Sequence, residues 1–207
     1  MSVLHPSTTS LNFKVASIPL DPIWRLSVAQ YHEMIRSGIL TSDDQVELLE
    51  GWLIPKLPKN PPHRIVTKLT RDALEEIVPD DCYVDSQEPI TLPDSEPEPD
   101  VVIVRGETRD YQNSHPEAAD ILLIVEVSDS TLDKDRGVKK RSYARAGIPV
   151  YWIINLVNET CEYYSSPKMF ATDPDYQNCQ IYSSIHEVPV IIDDQEVGRL
   201  NLRAILP

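Results

Sequence analysis

The stretch "DILLIVEVSDST", residues 120–131, constrains this chain more than any other. It is an apolar run of Leu, Ile and Val broken by a single acid, Glu126, and its composition suits a central strand covered on both faces. Side chains alternate along a strand, so Leu122, Ile124, Glu126 and Ser128 are expected on one face and Leu123, Val125 and Val127 on the other. Glu126 therefore enters a face that Leu122 and Ile124 mark as covered. A carboxylate there is costly unless it is paired, hydrogen-bonded or bound to a metal.

Asp100, at the mouth of "PDVVIVR", is the acid to pair with it, because Pro99 fixes the entry and the apolar run begins at once. If that strand lies beside the Glu126 strand, the two carboxylates converge near one end of a sheet. Their mutual repulsion is relieved by a hard divalent cation such as Mg2+, which keeps its other positions for water and phosphate oxygens. That is the outline of a phosphodiester-hydrolysis site. Such chemistry also calls for a positive group near the reacting phosphate. A lysine two residues after the glutamate would serve, but that position is Ser128. The basic segment "DKDRGVKKRSYARAG" offers a substitute: as one helix near 133–146 closed by Gly147, it places Asp135, Lys139, Tyr143 and Ala146 on one face. Tyr143 and Ala146 mark the buried flank, so Lys139, rather than Lys140, is aimed at the sheet.

The remaining chain supplies a frame for these groups. Residues 1–22, rich in Ser, Thr and Pro, read as a flexible arm, and 23–207 as a single domain. Ser27 and Gln30 form a capping-box pair for a helix at about 28–37. "QVELLEGWLIPKLP" reads as two strands about Gly51, and Ile65, Leu69, Leu74, Ile77 and Val78 give helical spacing over about 62–78. Extended segments follow in "CYVDSQEPITL", "PDVVIVRG", "ADILLIVEVSD", "VYWIINL" and "TCEYYSS", and the tail reads as an edge hairpin with a closing turn. The result is a mixed α/β core, a sheet flanked by helices.

Charge and cysteine content narrow the function classes. The formal net charge of -14 opposes nonspecific nucleic-acid binding, which depends on clustered Lys and Arg, although a metal can offset acidity locally. Three widely spaced cysteines, Cys82, Cys161 and Cys179, fit neither a disulfide framework nor a zinc knuckle. No window has the length and apolarity of a membrane span, and the first residues lack a secretory-signal pattern, so a cytoplasmic location is expected.

Taken together, "VELLEGWLIP", "NPPHRIVTKL", "EPDVVIV" and "LLIVEVSDSTLDKDRGVKKRSYARAGIPVYWIIN" resemble the Uma-two family, a branch of the PD-(D/E)xK nuclease superfamily, over about residues 25–165. The resemblance implies a restriction-endonuclease-like core, DNA as substrate, and Asp100 and Glu126 as ligands of Mg2+, with Mn2+ as an alternative. It also implies a lysine on the following helix four residues before a tyrosine, which agrees with Lys139 and Tyr143. Glu47 and His63 match an acid before the first glycine and a histidine at the start of the long helix, as supporting site residues. The sequence departs from the family at Ser128-Asp129, where a Ser-Pro pair is frequent, and at Asn155, where an acid is common. A homodimer is expected for cutting two strands, with the arm or the tail as its contact.

Plainer readings stand beside these. Glu126 and Lys139 also fit a structural salt bridge, and Arg141 and Arg145 fit a solvated helix face. The acidic balance fits a noncatalytic nucleic-acid-binding or protein-interaction module that keeps the nuclease fold.

Overall fold

The computed structural model describes residues 23–170 and 172–207, so the expected arm at 1–22 lies outside the described residues. Helix α1 (Val28–Arg36) carries the capping box expected at Ser27 and Gln30. Strands β1 (Val46–Leu49) and β2 (Trp52–Pro55) form a hairpin closed by Glu50 and Gly51, both at positive φ (49° and 79°), the conformation a two-residue hairpin turn requires. A side chain at Gly51 would meet Arg25 Cβ at 2.6 Å, so the position takes only glycine. Helix α2 (Pro61–Glu75) starts where Asn60 accepts the His63 backbone N–H and two prolines occupy the first turn.

Six strands form the central sheet, in the order β3 (Cys82–Asp85), β4 (Val101–Arg105), β5 (Ile121–Ser128), β6 (Val150–Asn155), β7 (Thr160–Lys168) and β8 (Asp175–Ser183). Among these six strands only the β5–β6 pair is parallel, and its crossover is the basic segment. That segment is not one smooth helix. It runs as α3 (Leu132–Lys134), a wide π turn over Asp135–Lys139 with Gly137 outside helical geometry, and α4 (Lys140–Ala146), which Gly147 ends in the left-handed conformation.

Two apolar layers cover the sheet. One packs Val66 and Leu74 of α2 against Val101, Val125, Val127 and Trp152, together with the hairpin β9 (Glu187–Ile192) and β10 (Gln195–Asn201) and helix α5 (Leu202–Ile205). The other sets Tyr143, Ala144 and Ile148 against Val102, Ile124, Tyr151 and Ile153. Three expectations change here. The tail hairpin is a separate two-stranded sheet with Val188, Val190 and Leu200 buried, so it lies over a face, and β8 is the edge. "CYVDSQEPITL" is a strand only over Cys82–Asp85, because Gln87 turns left-handed (φ 62°). Leu122 joins Leu123 in the first layer instead of Ile124, because the β4–β5 register shifts there by one residue, a β-bulge that resets the alternation. From Leu123 onward the alternation is as expected.

Candidate active site

The antiparallel β4–β5 pair sets Val101 opposite Val125, which brings the preceding Asp100 beside Glu126 and Val127. Asp100 Oδ2 accepts the Val127 backbone N–H at 2.9 Å and lies 3.1 Å from His63 Nε2, so the first turn of α2 reaches the end of the sheet to hold it. Lys59 Nζ lies 3.5 Å from Asp100 Oδ1. Burial pushes the Asp100 carboxyl up, but the His63 hydrogen bond and charge, Lys139 and the Val127 N–H outweigh it and leave its pKa lowered.

Glu126 is 2% exposed, on the face its strand position implied. Its Oε1 accepts from Lys139 Nζ at 2.8 Å and from the Tyr143 hydroxyl at 2.6 Å, whereas Oε2 has no hydrogen-bond partner among the described residues. Burial pushes its carboxyl up to about 8; Lys139 opposes the shift, and Asp100 and Asp135 add to it. Burial disfavours the Lys139 ammonium, yet Glu126, Glu47, Asp135 and Asp100 together raise its pKa. Burial thus dominates at Glu126, whereas at Lys139 the surrounding acids outweigh it.

Glu47 sits at the edge of the same cluster. Its carboxylate takes Lys134 Nζ at 2.9 Å and lies 3.7 Å from Lys139 Nζ. Thus Glu47, His63, Asp100, Glu126 and Lys139 all line one cleft, between the β2–α2 loop and the β5–α3 loop. Asn60 of the first loop donates to Asp129 of the second at 2.5 Å, giving the unexpected Asp129 a bridging contact. Ser128, where a lysine could have stood, donates to Asp135 Oδ2 at 2.6 Å, and Thr131 does the same at 2.6 Å.

The sequence reading missed the weight of Asp135, a 2% exposed acid in the cleft wall, and missed Lys59 and Lys134 at its mouth. The hydroxyls of Ser128 and Thr131 beside Asp135 were the only local signal. Arg141 and Arg145 are not a solvated face. Arg141 grips Glu50 with two hydrogen bonds (2.6 and 2.8 Å), and Arg145 bridges Glu50 (3.0 Å) and Asp94 (2.8 Å).

The cleft suits a hard cation in its donor chemistry. Two carboxylates converge; Asp100 is held through Oδ2 by Val127 and His63 with Lys59 beside Oδ1, Glu126 is held through Oε1, and Glu126 Oε2 has no hydrogen-bond partner among the described residues. Among the described residues no three His, Cys, Asp or Glu side chains gather as a metal cage. An ion of the Mg2+ type is commonly held by one or two carboxylates, with water and substrate oxygens completing its shell.

Comparison with known proteins agrees with this architecture. A family model, Uma2, described as "Putative restriction endonuclease", matches residues 28–194. No curated protein matches the chain. Among solved structures, one from Anabaena variabilis ATCC 29413, described as "a putative nuclease belonging to DUF820", aligns with a TM-score of 0.58 and 13% identity, covering 82% of this chain and 94% of that one. That likeness shows the fold.

Proposed function

The chain belongs to the Uma2 family, and from that premise we propose that it is an endonuclease hydrolysing phosphodiester bonds of DNA, with Asp100 and Glu126 holding Mg2+ and Lys139 stabilising charge. The observation that carries the reading is the meeting of these three side chains in one cleft, with Glu126 Oε2 free. A divalent cation bound by the two acids would polarise the phosphate and lower the pKa of a water.

The chain's own groups divide the remaining tasks. Lys139, held by Glu126 and fixed in position by burial, presents a positive charge where negative charge develops on the phosphate. Tyr143 donates to the Glu126 oxygen that Lys139 uses, which keeps the other oxygen turned to the cleft. His63 and the Val127 N–H orient Asp100. Lys56, Lys59 and Lys134 stand at the mouth, each paired with an acid (Glu98, Asp100 and Glu47), so on this reading a bound cation, rather than a free basic patch, offsets the acidity that the net charge of -14 reflects.

Incubation of the purified protein with linear and circular DNA in Mg2+ or Mn2+ tests this. Cleavage is expected, and it is expected to be lost in Asp100→Ala and in Lys139→Ala. A folded protein that cuts neither DNA nor RNA in either metal would defeat the nuclease reading. Calorimetric metal titration separates the module alternative: binding abolished by both Asp100→Ala and Glu126→Ala supports the enzyme, and no binding supports the module.

A further inference from the structure

The two edges of the central sheet are built differently. The β3 edge is four residues long and ends in Asp85. The β8 edge runs nine residues, Asp175–Ser183, pairs with β7 in an unshifted register, and has no other strand partner among the described residues. From Tyr176 to Ser183 it contains no charged residue, no proline and no glycine. Exposed edges are ordinarily blunted by Lys, Pro, bulges or shortness, because an unpaired row of N–H and C=O groups templates another strand. None of these devices is present at β8, although residues 177–181 are all exposed.

We propose that β8 is an interface for a second copy of this chain, pairing antiparallel with the partner's β8 so that one sheet runs through both protomers. Two features favour this occupant. Full overlap of the strand places Cys179 opposite the partner's Cys179, Gln177 opposite the partner's Ile181 and Tyr176 opposite the partner's Tyr182, with no like charges opposed. The strand is also flanked by exposed apolar groups at both ends: Met169 (40%), which packs on Gly147, and Phe170 (97%) in the turn before it, and Ile181 (64%) with Ile185 (80%) at its close. An antiparallel partner brings each apolar end onto the other, twice, as a two-fold interface requires. A strand ladder alone is narrow beside the roughly 1,600 Å² of a standard interface, and these ends supply the additional apolar area. This contact is distinct from the arm or tail contact expected from sequence, and it does not depend on the nuclease reading.

Sedimentation of the full chain over a concentration series tests the proposal, with oxidative cross-linking at Cys179, the one exposed cysteine beside the buried Cys82 and Cys161. A reversible dimer is expected, and mild oxidant is expected to trap it as a covalent dimer that Cys179→Ser abolishes. The double variant Gln177→Lys with Ile181→Lys sets lysines opposite one another and is expected to weaken dimerisation about tenfold or more. Gln177→Glu with Ile181→Lys is expected to restore it, because each lysine then faces the partner's glutamate. A chain that stays monomeric at every concentration overturns the proposal, as does a dimer indifferent to the double lysine or a monomer in which the 176–182 amides that point away from β7 already resist hydrogen exchange. Should the double-lysine variant not fold, the Cys179 cross-link on the unaltered chain decides.

Discussion

Two ion clusters lie along the same basic segment and against the same β1–β2 hairpin. Around Glu50, two acids meet two guanidinium groups: Arg141 takes Glu50 bidentately, and Arg145 spans Glu50 and Asp94. Around Glu126, four buried acids, Glu47, Asp100, Glu126 and Asp135, meet one buried ammonium, Lys139, with Lys134 and Lys59 at the rim. The first cluster is balanced and saturated, and arginine's planar fork suits a fixed pairing. The second has excess negative charge, uses lysine as a point charge, and leaves an acceptor oxygen free. One cluster closes the structure, and the other is the one proposed above to receive a cation.

The contrast is sharpest in its expected failures. Glu126→Gln is expected to lower cleavage by about 10³-fold, equivalent to about 4 kcal/mol of transition-state stabilisation. Its thermal midpoint without metal is expected to hold or rise, since an excess acid has gone; a large fall would make this cluster structural too. Glu50→Ala is expected to do the reverse. It strands two half-buried guanidinium groups and should cost about 2 kcal/mol in urea unfolding, after allowance for their exposure, while cleavage per folded molecule persists. Saturating Mg2+ or Mn2+ should stabilise the wild type by about 1–3 kcal/mol in thermal unfolding and leave Asp100→Asn unmoved, whereas Glu50→Ala should respond like the wild type.

A smaller effect concerns pH. The Arg141 hydrogen bond, opposed by burial and helped by Arg145, holds the Glu50 carboxyl below its ordinary value. A lowered carboxylate contributes stability above its unfolded pKa, about 4.3, and loses it as pH falls through the folded value. The stability gap between wild type and Glu50→Gln should therefore be full near about pH 6 and close as the solution is made more acidic than about pH 4. A gap that persists in acid would show that Glu50 acts through packing.

What could be read in the sequence follows from how far each interaction reaches. Asp100, Glu126 and Lys139 were legible because strand alternation and helical spacing are local rules, and the face of Lys139 survives the π turn at Gly137. Asp135 was placed on that face, but its burial depends on hydroxyls from Ser128 and Thr131 folding back over it. The Glu50 cluster was not legible at all. Its partners are 91 and 95 residues away, and only the docking of the hairpin against α4 joins them. The tail hairpin has strand composition whether it lies at an edge or over a face, so its alternation could not choose. The bulge at Leu122 likewise leaves no mark in an apolar run.

The parallel β5–β6 pair bears on how the cluster assembles. Lys139 lies in the crossover between β5 and β6, so it reaches Glu126 as that crossover docks on the sheet. A parallel pair cannot be closed by a tight turn, so its pairing comes with the whole crossover in place. Lys139 therefore joins the acids only as the crossover docks, and a molecule in which it has not docked lacks the three-residue cluster proposed above as the site.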